Sequence, residues 1–380
     1  MTIAVPERQR GQQERPLAAP ARDFGDAPGS AEVPSLERFG PPTLPAAAVA
    51  GAARLTVKPV LSIAAGLAEL TWGHSQRLAK LGWPLWLIDQ AAGLVLPPPR
   101  GVRRTSLRLR GVPVELETAP RRNRTNNKMG PAGPDILFFH GGGFILGGFG
   151  THRRLGGELA KAVGGDCYLV KYRKLPQVSF SELRADALAA YQGLLDRGAD
   201  PSRVVVAGDS AGGYLALATA QAAREAGLPL PAGLVLLSPW LDFDDAGRSS
   251  RGGKRDPFIP SQWPALIAKT LVLPGEPHQA QSPTDHKLEE LPPTLIQVGS
   301  SEFLYPDSAR LADALAKAGV DTRLQVWEGQ IHDFQMTADV NPDARAAIEH
   351  IAAFAKEVAT AKERPEDAPK ASGDSLRGIA

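Results

Sequence analysis

The string Gly208-Asp209-Ser210-Ala211-Gly212-Gly213 constrains this chain more than any other stretch of it. It fits G-x-S-x-G, a pattern that sets a serine on a sharp turn between a strand and a helix with its hydroxyl clear of the backbone. Three fixed positions are weak support in a chain with 39 glycines among 380 residues, so the flanks decide. Arg203-Val204-Val205-Val206-Ala207 precedes the string and reads as a buried parallel strand. Tyr214 to Ala226 follows it, rich in helix formers and closed by Gly227. Strand, tight turn and helix are what the pattern requires. The helix start also places unpaired amides and the positive end of a dipole beside Ser210, and the Ala211 amide is the natural first donor to a developing oxyanion.

A second string, His140-Gly141-Gly142-Gly143-Phe144, follows the apolar run Asp135-Ile136-Leu137-Phe138-Phe139, another expected core strand. Its glycines let the backbone approach a substrate closely, and the amides of Gly142 and Gly143 are the other two expected oxyanion donors. Alone, such a string could be a flexible turn after a strand. Paired with the serine turn, it completes a device for attacking a carbonyl.

With both strings present, the chain resembles the hormone-sensitive-lipase-like family of α/β-hydrolases, esterases and lipases marked by HGGG and GDSAGG, from about Gly101 to Lys356. Thr151-His152-Arg153-Arg154, Tyr172-Arg173, Asp200-Pro201-Ser202-Arg203 and Leu237-Ser238-Pro239-Trp240 are further family-like pieces. Tyr172-Arg173-Lys174-Leu175-Pro176-Gln177 departs from the usual Tyr-Arg-Leu-Ala-Pro-Glu. The resemblance implies an α/β-hydrolase: a mostly parallel central sheet flanked by helices, with a helical cap over the active site.

A serine needs a base, and the base needs an orienting carboxylate. In this fold the order is serine, acid, histidine, each on a loop after a strand, and that order sorts the seven histidines. His74, His140 and His152 come too early, and His278 and His286 lie in a Pro-rich stretch without a preceding strand. His350 sits in the amphipathic pattern Asp343 to Phe354 and reads as a helix-surface residue. His332 remains, after the alternating run Thr322 to Trp327 and the turn Glu328-Gly329. Ile331-His332-Asp333-Phe334 also resembles the family's His-Gly-Phe loop, so His332 is the expected general base.

For the acid, the loop after the strand Thr294 to Val298 reads Gly299-Ser300-Ser301-Glu302-Phe303-Leu304-Tyr305-Pro306-Asp307. Many members of the family carry aspartate where this chain has Ser301, which cannot stabilise an imidazolium. Glu302, one position on and with a longer arm, is the first choice. Asp307 is an alternative, although it precedes Ser308 to Leu315 and reads as a helix N-cap. Asp242, in the loop where some hydrolases of this fold place their acid, is the other.

These residues describe a serine carboxylic-ester hydrolase acting on short- to medium-chain acyl esters or small lipids through an acyl-enzyme. Ser210, Glu302 and His332 are the expected catalytic residues, and Gly142, Gly143 and Ala211 the expected oxyanion donors; no cofactor or metal is implied. A non-catalytic ligand-binding protein on the same fold and an amidase are the alternatives.

Residues 1–45 mix Pro, Ala, Gly and charge without periodicity and read as a disordered arm, and 361–380 as a flexible tail. Residues 46–100 form the expected N-terminal cap segment, and 101–360 the hydrolase core with a cap insertion at about 245–280. The arm lacks the apolar run of a signal peptide, so a cytoplasmic location is expected. Arg54, Lys58, Glu69 and Asp89 interrupt the apolar stretches of the cap, which argues against a membrane span and leaves peripheral lipid contact open. Arginines cluster between Arg100 and Arg124, but with a formal net charge of +2 and no aromatic platform, nucleic-acid binding is not expected. Leu107-Arg108-Leu109-Arg110 alternates as an edge strand does, and the single Cys167 reads as a buried core thiol.

Overall fold

The computed structural model describes residues 33–59, 61–63, 89–91, 93, 99–120, 133–243, 256–260, 262–274 and 282–361. Nine strands make one sheet in the order β1-β9-β8-β7-β6-β4-β5-β3-β2. They are β1 (Ser35–Phe39), β2 (Arg103–Leu109), β3 (Val112–Thr118), β4 (Asp135–Phe139), β5 (Asp166–Val170), β6 (Val204–Asp209), β7 (Gly233–Leu237), β8 (Thr294–Gly299) and β9 (Thr322–Trp327). β2 and β3 are antiparallel, as are β3 and β5, while every pairing from β5 through β4 to β1 is parallel. This is the α/β-hydrolase architecture. The arginine-rich alternating stretch forms the β2 edge, and Cys167 is buried in β5.

The central strands are apolar on both faces because helices cover both. Leu137, Phe139, Val204, Val206, Leu234 and Leu236 point to one side, against α3 (Phe180–Asp196), α4 (Ala211–Glu225) and α6 (Tyr305–Lys317). Ile136, Phe138, Val205, Ala207 and Val235 point to the other, against α2 (Phe149–Val163) and α7 (Pro342–Ala361). Period-two alternation of wholly apolar strands therefore feeds two cores at once.

The arm expected to be structureless to residue 45 requires correction at its end, because Ser35–Phe39 forms β1. β1 runs parallel to β9 in the register Ser35 to Arg323 through Phe39 to Trp327. Phe39 stacks on Trp327 with ring centroids 4.2 Å apart, and Glu37 accepts from Gln325 Nε2 at 3.0 Å. Ser-Leu-Glu-Arg-Phe carries little strand signal of its own, and its pairing partner lies at the far end of the chain.

His350 departs from its expected place on a helix surface. It is half-buried under the sheet edge, 4.8 Å edge-on from Phe39, where burial lowers its pKa. Of the expected cap segment 46–100, α1 (Leu44–Ala52, beginning just before it), a π-helical turn over Ala53–Val57 and residues 58–59, 61–63, 89–91, 93 and 99–100 are described. Of the insertion, 256–260, α5 (Gln262–Ile267) and a second π-helical turn over Ala268–Val272 are described. Residues 64–88 and 94–98 of the first, 245–255 and 275–280 of the second, the tail beyond 361 and the basic run from Arg121 to Lys128 lie outside the described residues.

Candidate active site

The site assembles at the carboxyl ends of neighbouring parallel strands, where open α/β sheets bind ligands. His140 to Phe144 follow β4, Ser210 follows β6, Ser238 follows β7, Glu302 sits in the turn after β8, and His332 in the loop after β9.

Ser210 holds φ 52° and ψ −117°, strained values for a residue with a side chain. The surroundings enforce them. The Ser210 amide donates to the Leu237 carbonyl at 2.8 Å, and its own carbonyl accepts from the Trp240 amide at 3.0 Å. A Cβ on Gly212 would stand 1.9 Å from the Phe139 carbonyl oxygen, so only glycine lets α4 begin this close to β4. As the first residue of α4, Ala211 has an amide with no carbonyl a turn earlier to bond.

The glycine loop folds back on itself, the Leu146 amide donating to the Gly142 carbonyl at 2.8 Å. Gly142 has φ 106°, a conformation L side chains rarely adopt. Neither the Gly142 nor the Gly143 amide finds an acceptor among the described residues. Two buried histidines hold this loop. His140 stacks on Tyr172 at 4.3 Å, and its Nδ1 hydrogen-bonds the Gly141 carbonyl at 2.8 Å. Burial pushes the His140 pKa down to about 3, so it is a neutral structural ring. His152 contacts Asp209 through Nε2 at 3.1 Å, and Asp209 accepts the Gly141 amide at 2.9 Å. Burial works against both charges. The partners outweigh it, raising the His152 pKa and lowering that of Asp209. The residue before the nucleophile thus ties the serine turn to the glycine loop.

Glu302 is fully buried and turned back by the tight 299–302 turn, in which its amide donates to the Gly299 carbonyl at 3.2 Å. Its Oε1 accepts from Ser238 Oγ at 2.7 Å and from the Gly299 amide at 2.6 Å, and its Oε2 contacts His332 Nδ1 at 2.8 Å. The other two carboxylates are engaged elsewhere. Asp307 accepts the amides of Leu241 and Asp242 at 3.1 and 3.0 Å. It lies inside the first turn of α6, whose N-cap is Leu304, so the N-cap reading of Asp307 does not hold. Asp242 lies 3.7 Å from Arg310.

His332 is buried, and its two ring nitrogens face different carboxylates: Glu302 at Nδ1, and Asp333 Oδ2, 3.1 Å away, at Nε2. Burial opposes a charged ring, yet Asp333 and Glu302 together raise the His332 pKa well above 6.5. Ser210 Oγ makes no hydrogen bond with a described residue. The carboxylate–imidazole contact is therefore formed, while the imidazole–serine contact is not made in this state.

The 256–272 segment reaches this site. Ile267 Cδ1 lies 2.9 Å from where a Cβ on Gly143 would stand. Asp256 accepts the Phe303 amide, next to Glu302, at 3.3 Å, and Lys58 from the N-terminal segment bonds the Asp256 carbonyl. Phe144, Trp240, Phe243, Phe180 and Tyr214 form an aromatic cluster beneath the glycine loop. Sequence reasoning assigned no role to Asp209, His152, Ser238 or Asp333. The first three lay inside strings singled out for other reasons, and Asp333 adjoins the expected base.

A family model described as α/β hydrolase fold matches residues 136–336. An acetyl-hydrolase of Streptomyces hygroscopicus is 39% identical over 224 residues, 58% of this chain and 75% of its own length. The esterase LipU of Mycobacterium tuberculosis is 34% identical over 314 residues, 80% of this chain and 99% of its own. A crystal structure of an esterase from the bacterial hormone-sensitive lipase family has a TM-score of 0.65 at 33% identity, covering 71% of this chain and 89% of that one.

Proposed function

We propose a mechanism for a chain that belongs to the hormone-sensitive-lipase-like esterases of the α/β-hydrolase fold, and that is accordingly a serine carboxylic-ester hydrolase of the EC 3.1.1 type. Its substrates are esters or lipids. Ser210 Oγ forms a bond to the ester carbonyl carbon while the carbonyl π electrons move onto oxygen. His332 Nε2 takes the serine proton and hands it to the leaving alcohol as the tetrahedral centre collapses to an acyl-enzyme. Water then repeats the sequence and frees the acid. Glu302 fixes the imidazole tautomer with its proton on Nδ1 and stabilises the imidazolium. The amides of Gly142, Gly143 and Ala211 receive the oxyanion, each contributing about 3 kcal/mol or more to the transition state. One observation carries this reading: Glu302, held by Ser238 and the Gly299 amide, meets His332 Nδ1 at 2.8 Å, while Ser210 stands in strained backbone between β6 and α4.

We propose short- to medium-chain acyl groups as the preferred substrates. Support comes from the cover over the glycine loop, where Ile267 stands close to Gly143 above the aromatic cluster. Assay of p-nitrophenyl esters of rising chain length beside matched anilides tests this. The expected result is a kcat/KM maximum at short to medium chains with anilides far slower. A maximum at the longest chain, or anilides as fast as esters, is the contrary result.

No helix among the described residues is long and apolar enough to cross a membrane. We propose that the protein acts in the cytoplasm and touches lipid peripherally through its N-terminal cap segment. Leu55 and Ile63 there are 79% and 65% exposed and supply apolar side chains to an interface, with Lys58 between them in sequence as a cationic partner for anionic headgroups. Sedimentation with anionic vesicles should fall on replacing both by glutamate. Equal sedimentation of parent and variant removes the lipid contact.

A further inference from the structure

Asp333 touches the expected base, yet the ester mechanism leaves it without a role. Its φ is 52°, left-handed and costly for a residue with a side chain, although Asp and Asn bear it better than most. Its side chain is 13% exposed and lies beside the imidazole, with Oδ2 at 3.1 Å from His332 Nε2 and a buried Oδ1 that makes no hydrogen bond with a described residue. An orphaned buried carboxylate oxygen is costly. His332 Nε2 is the atom through which the serine proton must pass, so Asp333 engages the same nitrogen that Ser210 Oγ needs.

We propose that Asp333 is a positioning residue for ester hydrolysis, a second carboxylate that competes with Ser210 for His332 Nε2 and so sets the pH above which the imidazole can act as a base. The inference rests on His332 being that base. A neutral imidazole carries one N–H, so carboxylates at both nitrogens favour the doubly protonated ring. A doubly protonated ring cannot accept the serine proton. The pair is further surrounded by Glu302 from the turn after β8, Asp209 from the end of β6, Asp256 from the 256–260 segment and His152 from the first turn of α2. Burial, with Asp209 and Glu302 adding to it, pushes the Asp333 carboxyl up to about 7, so its charge changes near neutrality, beside a ring whose own pKa is raised.

The sign follows from the general-base role. kcat/KM rises with pH as the free enzyme's His332 loses its proton. An ionised Asp333 raises that threshold, and removing its charge lowers it. The test is the pH profile of kcat/KM on a short-chain ester, measured by pH-stat for the parent, Asp333→Asn and Asp333→Gly, both of which fit a positive φ, with His332→Ala alongside. The acid limb should move down by about one unit or more in both Asp333 variants. The ratio of kcat/KM at about pH 6 to that at about pH 9 should then rise roughly tenfold. A limb within a few tenths of a unit of the parent, with His332→Ala inactive, overturns the role of Asp333 alone. Activity retained in His332→Ala overturns the base assignment and this inference with it. On the unaltered protein, nitrogen NMR of the histidines reads the protonation of the ring directly, without a variant: His332 should stay doubly protonated above pH 6.5, and a ring already neutral at about pH 6 contradicts the proposal.

Discussion

Ser210→Ala should lower kcat for ester hydrolysis by about a millionfold while leaving the fold intact. The loss is this large because the variant has no oxygen to form the acyl-enzyme, and His332 and Glu302 then have no reaction to serve. Residues acting as one unit fail as one unit, so adding His332→Ala to Ser210→Ala should cost almost nothing further. The remaining rate, about a thousandfold or more over water, would come from the glycine-loop and Ala211 amides. The fold should tolerate the change: Ser210 Oγ makes no hydrogen bond with a described residue, and alanine leaves its backbone bonds to Leu237 and Trp240 in place. A steady-state assay with a thermal melt measures both effects. Turnover within tenfold of the parent would remove Ser210 from the chemistry.

Glu302→Gln should lower kcat by about ten-thousandfold. Glutamine keeps the shape and can still accept a hydrogen bond from Ser238. Its amide oxygen carries no charge, so the imidazolium formed at proton transfer loses the partner now 2.8 Å from Nδ1. If the amide nitrogen turns toward the ring instead, it holds the wrong tautomer, with the proton on Nε2 and no base facing the serine. Glu302→Ala adds a structural loss, because the buried Ser238 hydroxyl and Gly299 amide are left unpaired at about 1–3 kcal/mol each. Asp242→Asn should stay near the parent rate, since Asp242 faces Arg310. Asp307→Asn should act chiefly on stability, through the loop amides of Leu241 and Asp242 that it holds. If either of those variants collapses turnover and Glu302→Gln does not, the acid has been assigned to the wrong residue.

Local strings carried much of this site because its parts sit at strand ends. A β-branched run followed by G-x-S-x-G has few ways to fold, and chain order separates His332 from the earlier histidines without knowledge of tertiary contacts. Glu302 was harder, and its reach is explained by a turn too short to read beforehand, which folds the side chain back to the Gly299 amide. Elsewhere tertiary context overrode local pattern. β1 has no signal in Ser-Leu-Glu-Arg-Phe and exists because β9 offers an open edge and Trp327 a stacking face to Phe39. Asp307 reads as an N-cap in sequence but lies inside the first turn of α6 and serves amides that follow a different strand, and His350 is drawn under the edge that β1 covers. Buried ionic pairs such as His152 with Asp209 join positions 57 apart, and no periodicity announces a pairing at that distance.

Phosphonylation by a fluorophosphonate, followed by peptide mass spectrometry, tests the central claim most directly, because the probe needs an activated serine, a base and an oxyanion site together. The expected result is one adduct per chain, carried by Ser210, formed rapidly by the parent and at a strongly reduced rate by His332→Ala and Glu302→Gln. An unlabelled parent, a label on another residue, or labelling of Ser210 at an unchanged rate in those variants would contradict it.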